Sequence, residues 1–497
     1  MKGYTMLKKS IISAGLIITT LASPLALAKV KKLNFDKSQQ NAEQKITGKL
    51  LYLNEKNGDV DLLIQDDNRF SYYPRITHNG LVEQAQIIDI PKNAQFFNQA
   101  KLAKQENEVI VYLTADAVMS YNLEDKSISK LITVDTLYKY QSIFEVNFGE
   151  FVQDFNQDGL SDFITYSLDK THVYLQNVDG TFNHQSLEIS PRIEKSGSGI
   201  SFKPQNFYHA DFNKDDKKDI AFQVDDELKV FVQALDKSFN SKAIAITLNA
   251  NLENENSAIK KQQGEKSADV YLETIEDING DGLADIVTKE SVREGMMSRT
   301  NVLMVRYGFI EDGIMGYKKA VDGKATFDGE GSIKFKDVDG DGLKDYYTLS
   351  VEMGIGTMMS AMSGAIDMDL RFYKLGANGK YVKKPTYENE VEIAINSSNG
   401  GEALTEVVDF NGDGINDLIL KTDDDEFTIY SGSKGKRLFA KRGADYEIEL
   451  PKSVRTEVKD FNNDGKADIL FLYGKSYDED EEKEVGENKL TLWLSAS

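Results

Sequence analysis

Apolar residues in this chain come in short runs, each bounded by polar turn residues. Lys49–Leu53, Val60–Ile64, Arg69–Tyr73, Val109–Leu113 and Val118–Tyr121 are the clearest early examples. Runs of this length, rich in Val, Ile, Tyr and Phe, predict β-strands rather than helices. Further along, an inner strand ends at Phe151, and Asp162–Ser167, His172–Leu175 and Ser186–Ile189 follow as three more. The pattern predicts an all-β protein built from repeated groups of short strands.

The polar stretch between the first two strands of a group has its own pattern. In Asp409–Leu420, DFNGDGINDLIL, oxygen-bearing side chains stand at alternate positions, Asp409, Asn411 and Asp413, followed by Gly414, Asp417 and an apolar run. The same spacing recurs at Asp154, Asn156, Asp158 and Asp162, and at Asp211, Asn213, Asp215 and Asp219, where Asp216 replaces the Gly. It returns at Asp277, Asn279, Asp281 and Asp285, at Asp337, Asp339, Asp341 and Asp345, and at Asp460, Asn462, Asp464 and Asp468. Loops of type D-x-[DN]-x-[DN]-G gather alternate side-chain oxygens around a hard cation, and the Gly permits the left-handed turn this needs. An EF-hand would continue into a helix and a closing Glu; here the acid comes early and a strand follows. The second position is always apolar (Phe155, Phe212, Ile278, Val338, Phe410, Phe461), which predicts a side chain wedged into the core beneath each loop.

The first residues of successive loops lie 57, 66, 60, 72 and 51 residues apart. One metal loop and several strands per period of about 60 residues indicates a repeat architecture, and a ring of four-stranded blades is the commoner way to protect so many sheet edges. From Asp154 onward the loops resemble the calcium loops of FG-GAP and VCBS repeats, which form β-propellers in integrin α-chain heads and in many secreted bacterial proteins. The resemblance implies a single propeller of seven or eight four-stranded blades over residues 46–497, with about six Ca²⁺ sites between first and second strands. It implies little about activity, because propellers host unrelated functions.

Two further units precede Asp154. In the first, Leu53, Glu55, Asn57, Gly58 and Asp61 occupy the motif positions, but Leu53 offers no ligand, so this copy is expected to keep the fold without an ion. The second, Phe96 to Val134, has no ligand pattern in Leu102–Glu108. With six clear units these make eight; seven is the alternative. The last unit stops after Lys489–Leu494, so a strand from Lys29–Phe35, within an otherwise polar arm at residues 29–45, is expected to close the ring.

Residues 1–28 read as a secretory signal: Lys8 and Lys9, an apolar core from Ile11 to Ala22, and Ala26-Leu27-Ala28 as cleavage site. Export to the periplasm or beyond is therefore expected, with no membrane span left after cleavage. The chain has no Cys, so disulfides and a lipid-attachment cysteine are excluded, and ions bound only by the folded state are the available staple. The formal charge of −22 becomes −25 without Lys2, Lys8 and Lys9, and twelve positive charges from six Ca²⁺ would bring it to −13. Nineteen loop carboxylates carry much of this acidity, and the remainder argues against a nucleic-acid partner.

Outside the loops, two long connections between second and third strands carry Met pairs: Met296-Met297 within Ser291–Thr300, and Met358-Met359 within Met353–Asp367. They read either as a partner-binding patch or as a local mini-core. The acidic segment Tyr477–Glu487 reads as a solvated loop, with weak cation binding as the alternative. His78, His172, His184 and His209 show no metal-ligand spacing and read as structural, as Trp493 reads as core. No nucleophile elbow, H-E-x-x-H helix or phosphate loop is present. The expected function is a non-enzymatic scaffold binding a protein or glycan; the alternative is a polysaccharide-processing lyase or hydrolase on the same scaffold.

Overall fold

The computed structural model describes residues 32–496 except 43–45, 47, 78–80, 82–84, 141–144, 197–198, 251, 253–267, 295–297, 312, 353, 363–364, 395–403, 424, 451–453 and 479–482. Residues 1–28, expected to be a secretory signal, thus lie outside the described residues. Eight blades of four antiparallel strands form a β-propeller; small hairpins are inserted between strands of the fifth, sixth and eighth blades, and Asn147–Phe148 adds a short parallel strand to the second. The innermost strands begin at Leu50, Phe96, Val152, Phe207, Ala268, Glu330, Thr405 and Val454. Among the described residues the helices are one 3₁₀ turn, Leu137–Tyr140, and one α-helix, Ile355–Met362, inside the long connection that carries Met358-Met359. None is long and apolar enough to cross a membrane.

The core is not one mass but a series of layers between neighbouring blades. Leu51, Leu63 and Phe70 of the first blade pack against Phe97, Ile110 and Tyr112 of the second, and similar clusters fill the following gaps up to Phe427 and Ile429 against Ile469 and Trp493. Leu62 and Ile64 then meet Leu470 and Leu492, so the first blade also packs on the eighth. A second strand covered on both faces has no solvent side, which is why Asp162–Tyr166 and Asp468–Tyr473 are buried along their whole length and read as continuous apolar runs.

Ring closure is by strand exchange. Phe35–Asn41 pairs antiparallel with Lys489–Ser495 and becomes the fourth strand of the eighth blade. It begins where the expected Lys29–Phe35 strand ends, so part of the polar arm belongs to the propeller. Phe35 packs edge-on to Phe410 and Tyr446 and lies 5.5 Å from the Trp493 ring. Three aromatic contacts at about 1 kcal/mol each, against about 1 kcal/mol per degree for a chain of this length, predict a loss of at least ~3 °C in Tm on deleting residues up to 41. An unchanged calorimetric Tm would show that the closing strand contributes nothing.

Candidate metal centres

All six motif loops, on the third to eighth blades, fold alike. The first-position carboxylate turns inward, and its Oδ2 accepts the N–H of the sixth residue: Asp154 from Gly159, Asp211 from Asp216, Asp277 from Gly282, Asp337 from Gly342, Asp409 from Gly414 and Asp460 from Gly465. In four loops the fifth residue's N–H is shared by oxygens of the first and third side chains. Asp158 N lies 3.0 Å from Asp154 Oδ1 and 3.1 Å from Asn156 Oδ1; Asp215, Asp281 and Asp464 repeat the arrangement. The sixth residue pays a backbone cost unless it is Gly: φ is +86° at Gly159 and +63° at Asp216, and Asp tolerates that region better than most residues.

The second-position side chains are wedges, as expected. Phe155, Phe212, Ile278, Val338, Phe410 and Phe461 are all buried.

The last acid of the motif does something the spacing alone does not reveal. Asp162, Asp219, Asp285, Asp345, Asp417 and Asp468 are fully or almost fully buried. Their Oδ1 atoms accept a backbone N–H just past the third strand or at its end, from Gln176, Gln233, Gly308, Leu375, Gly432 and Ser495 at 2.8–2.9 Å. In five of the six, Oδ2 accepts the second-position N–H at 2.9–3.2 Å. Each of these acids therefore clamps the loop to the sheet, besides facing it with a carboxylate. Burial, opposed by the bonded N–H groups, raises Asp162, Asp285 and Asp345 to about 7 and Asp219, Asp417 and Asp468 to about 6.

The sixth blade departs from the rule. Asp339 stands where the other loops have Asn, and ligand oxygens of Asp337, Asp339 and Asp341 lie within 4.8 Å of one another. Lys374 bonds Asp339 and sits 3.2 Å from Asp341, so its ammonium offsets the extra carboxylate. Asp339 Oδ1 and Asp345 Oδ2 remain buried without a partner. Buried oxygens of negative charge without donors fit a cation placed among them, and an all-oxygen donor set fits a hard one.

Successive loops also touch. Lys344 N donates to Ile278 O, Asn416 N to Val338 O and Ala467 N to Asp409 O. A Cβ on Gly280 would stand 2.7 Å from Gly342 O, so the loops form a linked series rather than isolated turns.

The first blade keeps the turn, with Gly58 at φ +90°. There Asp61 accepts from Tyr72 Oη and Arg75 N, while the Arg75 guanidinium pairs with Glu55 at 3.2 Å. A side-chain cation serves this degenerate copy.

The remaining sequence candidates scatter. Met296 and Met297 lie outside the described residues. Met359 and Met362 are exposed on the short helix, 68% and 87%. Asp478 joins a small hairpin, Ser476–Asp478 with Lys483–Val485, and residues 479–482 of the acidic segment are not described. His209 accepts from Gln153 at 2.6 Å and donates Nε2–H to Phe155 O, and burial holds its pKa near 4, a neutral structural imidazole. His78 lies outside the described residues, whereas His172 and His184 meet at 3.0 Å, a contact the spacing did not predict.

By strand parity, connections from a fourth strand to the next first strand emerge at the end opposite the acid loops. There a cleft of about 450 Å³ opens between the second, third and fourth blades, lined by the rings of Phe96, Tyr138, Phe148, Phe151, Tyr166 and Phe207, with Glu150 and Gln205 among its polar groups.

The FG-GAP-like repeat family matches residues 154–222, from the first acid loop into the fourth blade's second strand. No curated protein matches the sequence. Solved structures with similar folds include the Nup133 β-propeller domain of Vanderwaltozyma polyspora, at 8% identity over 84% of this chain and 99% of that one, TM-score 0.42. A lectin of Agrocybe aegerita that recognises non-reducing terminal N-acetylglucosamine is 12% identical over 82% of this chain and 92% of its own, TM-score 0.40. The V. cholerae biofilm matrix protein Bap1 is 12% identical over 90% and 76%, TM-score 0.28.

Proposed function

We propose that this eight-bladed β-propeller, which matches the FG-GAP-like repeat family over residues 154–222, is an exported scaffold whose blades are pinned by Ca²⁺ and whose opposite end binds a glycan. The observation that carries the reading is the shared loop geometry on six consecutive blades, each with its first carboxylate turned inward beside one buried acid, and with first- and third-position oxygens drawn together in four of them. In each loop the side chains at the first, third and fifth positions would hold the ion, which supplies charge neutralisation. The protein's own contribution is prior alignment: the clamp acid and the apolar wedge fix the loop before any ion arrives.

The aromatic cleft supports the glycan half. Sugars bind by laying C–H faces on aromatic rings while their hydroxyls exchange hydrogen bonds with nearby polar groups, and concave sites combining both are the usual ligand sites. Phe148 is 38% exposed and is the ring most open to a ligand. In Ca²⁺ buffer the protein is expected to be retained on immobilised polysaccharide, and Phe148→Ala to lose at least tenfold in affinity while Tm falls by only about 1 °C, the loss of one edge-on contact with Phe97. Equal retention by the variant would remove the cleft from the proposal. Ultraviolet-absorbing unsaturated products released from acidic polysaccharide would replace the scaffold reading with a lyase.

A further inference from the structure

We propose that His172 and His184 form a two-imidazole site for a transition-metal ion of the Zn²⁺ or Cu²⁺ class, separate from the acid loops. His172 is the second residue of the third blade's third strand, Thr171–Gln176, and His184 lies on the fourth. The register sets His172 opposite Ser186 and Tyr174 opposite His184, so the two imidazoles are diagonal neighbours across the hairpin. His172 Nδ1 lies 3.0 Å from His184 Nε2, and Ser186 Oγ lies 3.3 Å from the same Nδ1.

Two imidazole lone pairs do not face each other at this distance without something positive between them. A proton on one ring nitrogen satisfies the contact; a metal ion replacing that proton satisfies both rings. Nitrogens about 2.05 Å from a common ion stand about 2.9 Å apart at a right angle and about 3.3 Å apart at a tetrahedral one, and the observed separation lies between these. The rings are also held in place. His172 is buried, and His184 stacks on Tyr174 with centroids 4.7 Å apart and planes 17° apart. Burial and the neighbouring His184 push the His172 pKa down, against the pull of Asp135 and Asp169, which favours the neutral, ligating form. His184 is exposed, leaving water to complete the coordination.

Nitrogen donors prefer the later first-row ions, Cu²⁺ over Zn²⁺, whereas Ca²⁺ prefers oxygen. The two kinds of site are therefore separable in one experiment. The purified protein, kept in excess Ca²⁺ to occupy the acid loops, is titrated calorimetrically with Zn²⁺ and, for Cu²⁺, followed by electron paramagnetic resonance at pH 7.5. One tight ion is expected, with hyperfine structure from two imidazole nitrogens. His184→Ala, an exposed position, is expected to weaken binding at least tenfold and to remove that signature. Repeating at pH 5.5 is expected to weaken binding, because metal ligation by imidazole needs the unprotonated ring, with Asp135, Asp169, Lys170 and Tyr174 as the charged and titratable neighbours of His172. Unchanged affinity in His184→Ala, or a copper spectrum showing oxygen ligands alone, overturns the proposal.

Discussion

Excess EDTA is expected to lower the melting temperature of this protein by about 8 °C relative to the same protein in millimolar Ca²⁺. An ion held only by the folded state at about tenfold its dissociation constant stabilises by about 1.4 kcal/mol, so six sites contribute about 8 kcal/mol. Unfolding entropy of about 2.1 cal/mol/K per residue converts this to roughly one degree per kcal/mol for a chain of this length. Because Lys344, Asn416 and Ala467 tie the loops of the fifth to eighth blades backbone to backbone, the loss at those four is expected as one cooperative shift rather than several small ones. A calorimetric trace unmoved by EDTA would remove the metal from the proposed function.

The direction of the pH response gives a second reading of the same experiment. Without ions, the buried clamp acids have folded values near 6 to 7, above the unfolded value of about 3.9. The folded state then binds more protons between those limits, so proton-linked stabilisation is complete below about pH 4 and is lost as pH rises through 6 to 7. The chelated protein should melt higher at pH 5.5 than at pH 7.5. The Ca²⁺-loaded protein should lose this advantage, since a cation held in the loop favours the ionised form of the buried acid facing it.

Local spacing made the loops and their wedges legible. Asp409, Asn411, Asp413 and Gly414 are a contiguous signal, and the apolar residue after each first Asp is buried in all six loops. What depends on register was not legible. The fourth strands face solvent, and FDKSQQN, which closes the ring, carries almost no hydrophobic alternation to place it; the third blade's fourth strand is likewise Phe182–Leu187, several residues earlier than Ser186–Ile189. His172 and His184 meet only because the turn at Gly180 fixes which residues oppose each other. Lys374, just past the third strand of its blade, lies 35 residues from Asp339, and no local motif announces that its charge is answered there. The Met358-Met359 segment reads as a loop by its glycines, yet Ile355–Met362 is helical, in keeping with the helix preference of Met and Ala.

Asp468→Ala is expected to destabilise the protein with or without calcium, whereas Asp464→Ala is expected to matter only with it. Both acids belong to the last loop, but their partners differ. Asp464 is exposed and accepts Lys466 N within its own turn, so its loss in EDTA should stay within about 0.5 kcal/mol. Asp468 is fully buried and accepts Phe461 N at 2.9 Å and Ser495 N at 2.8 Å. Each buried N–H left without an acceptor costs about 1–3 kcal/mol, giving about 2–6 kcal/mol for the pair even in EDTA. Urea midpoints measured in both buffers separate the clamp from the ligand, and equal behaviour of the two variants in EDTA would mean the buried acid serves only the ion. The last blade is where the difference should be greatest. Ser495 ends the strand on which Phe35–Asn41 pairs, with Phe35 opposite Ser495 itself, so releasing its N–H loosens the point where the chain's two ends close the ring.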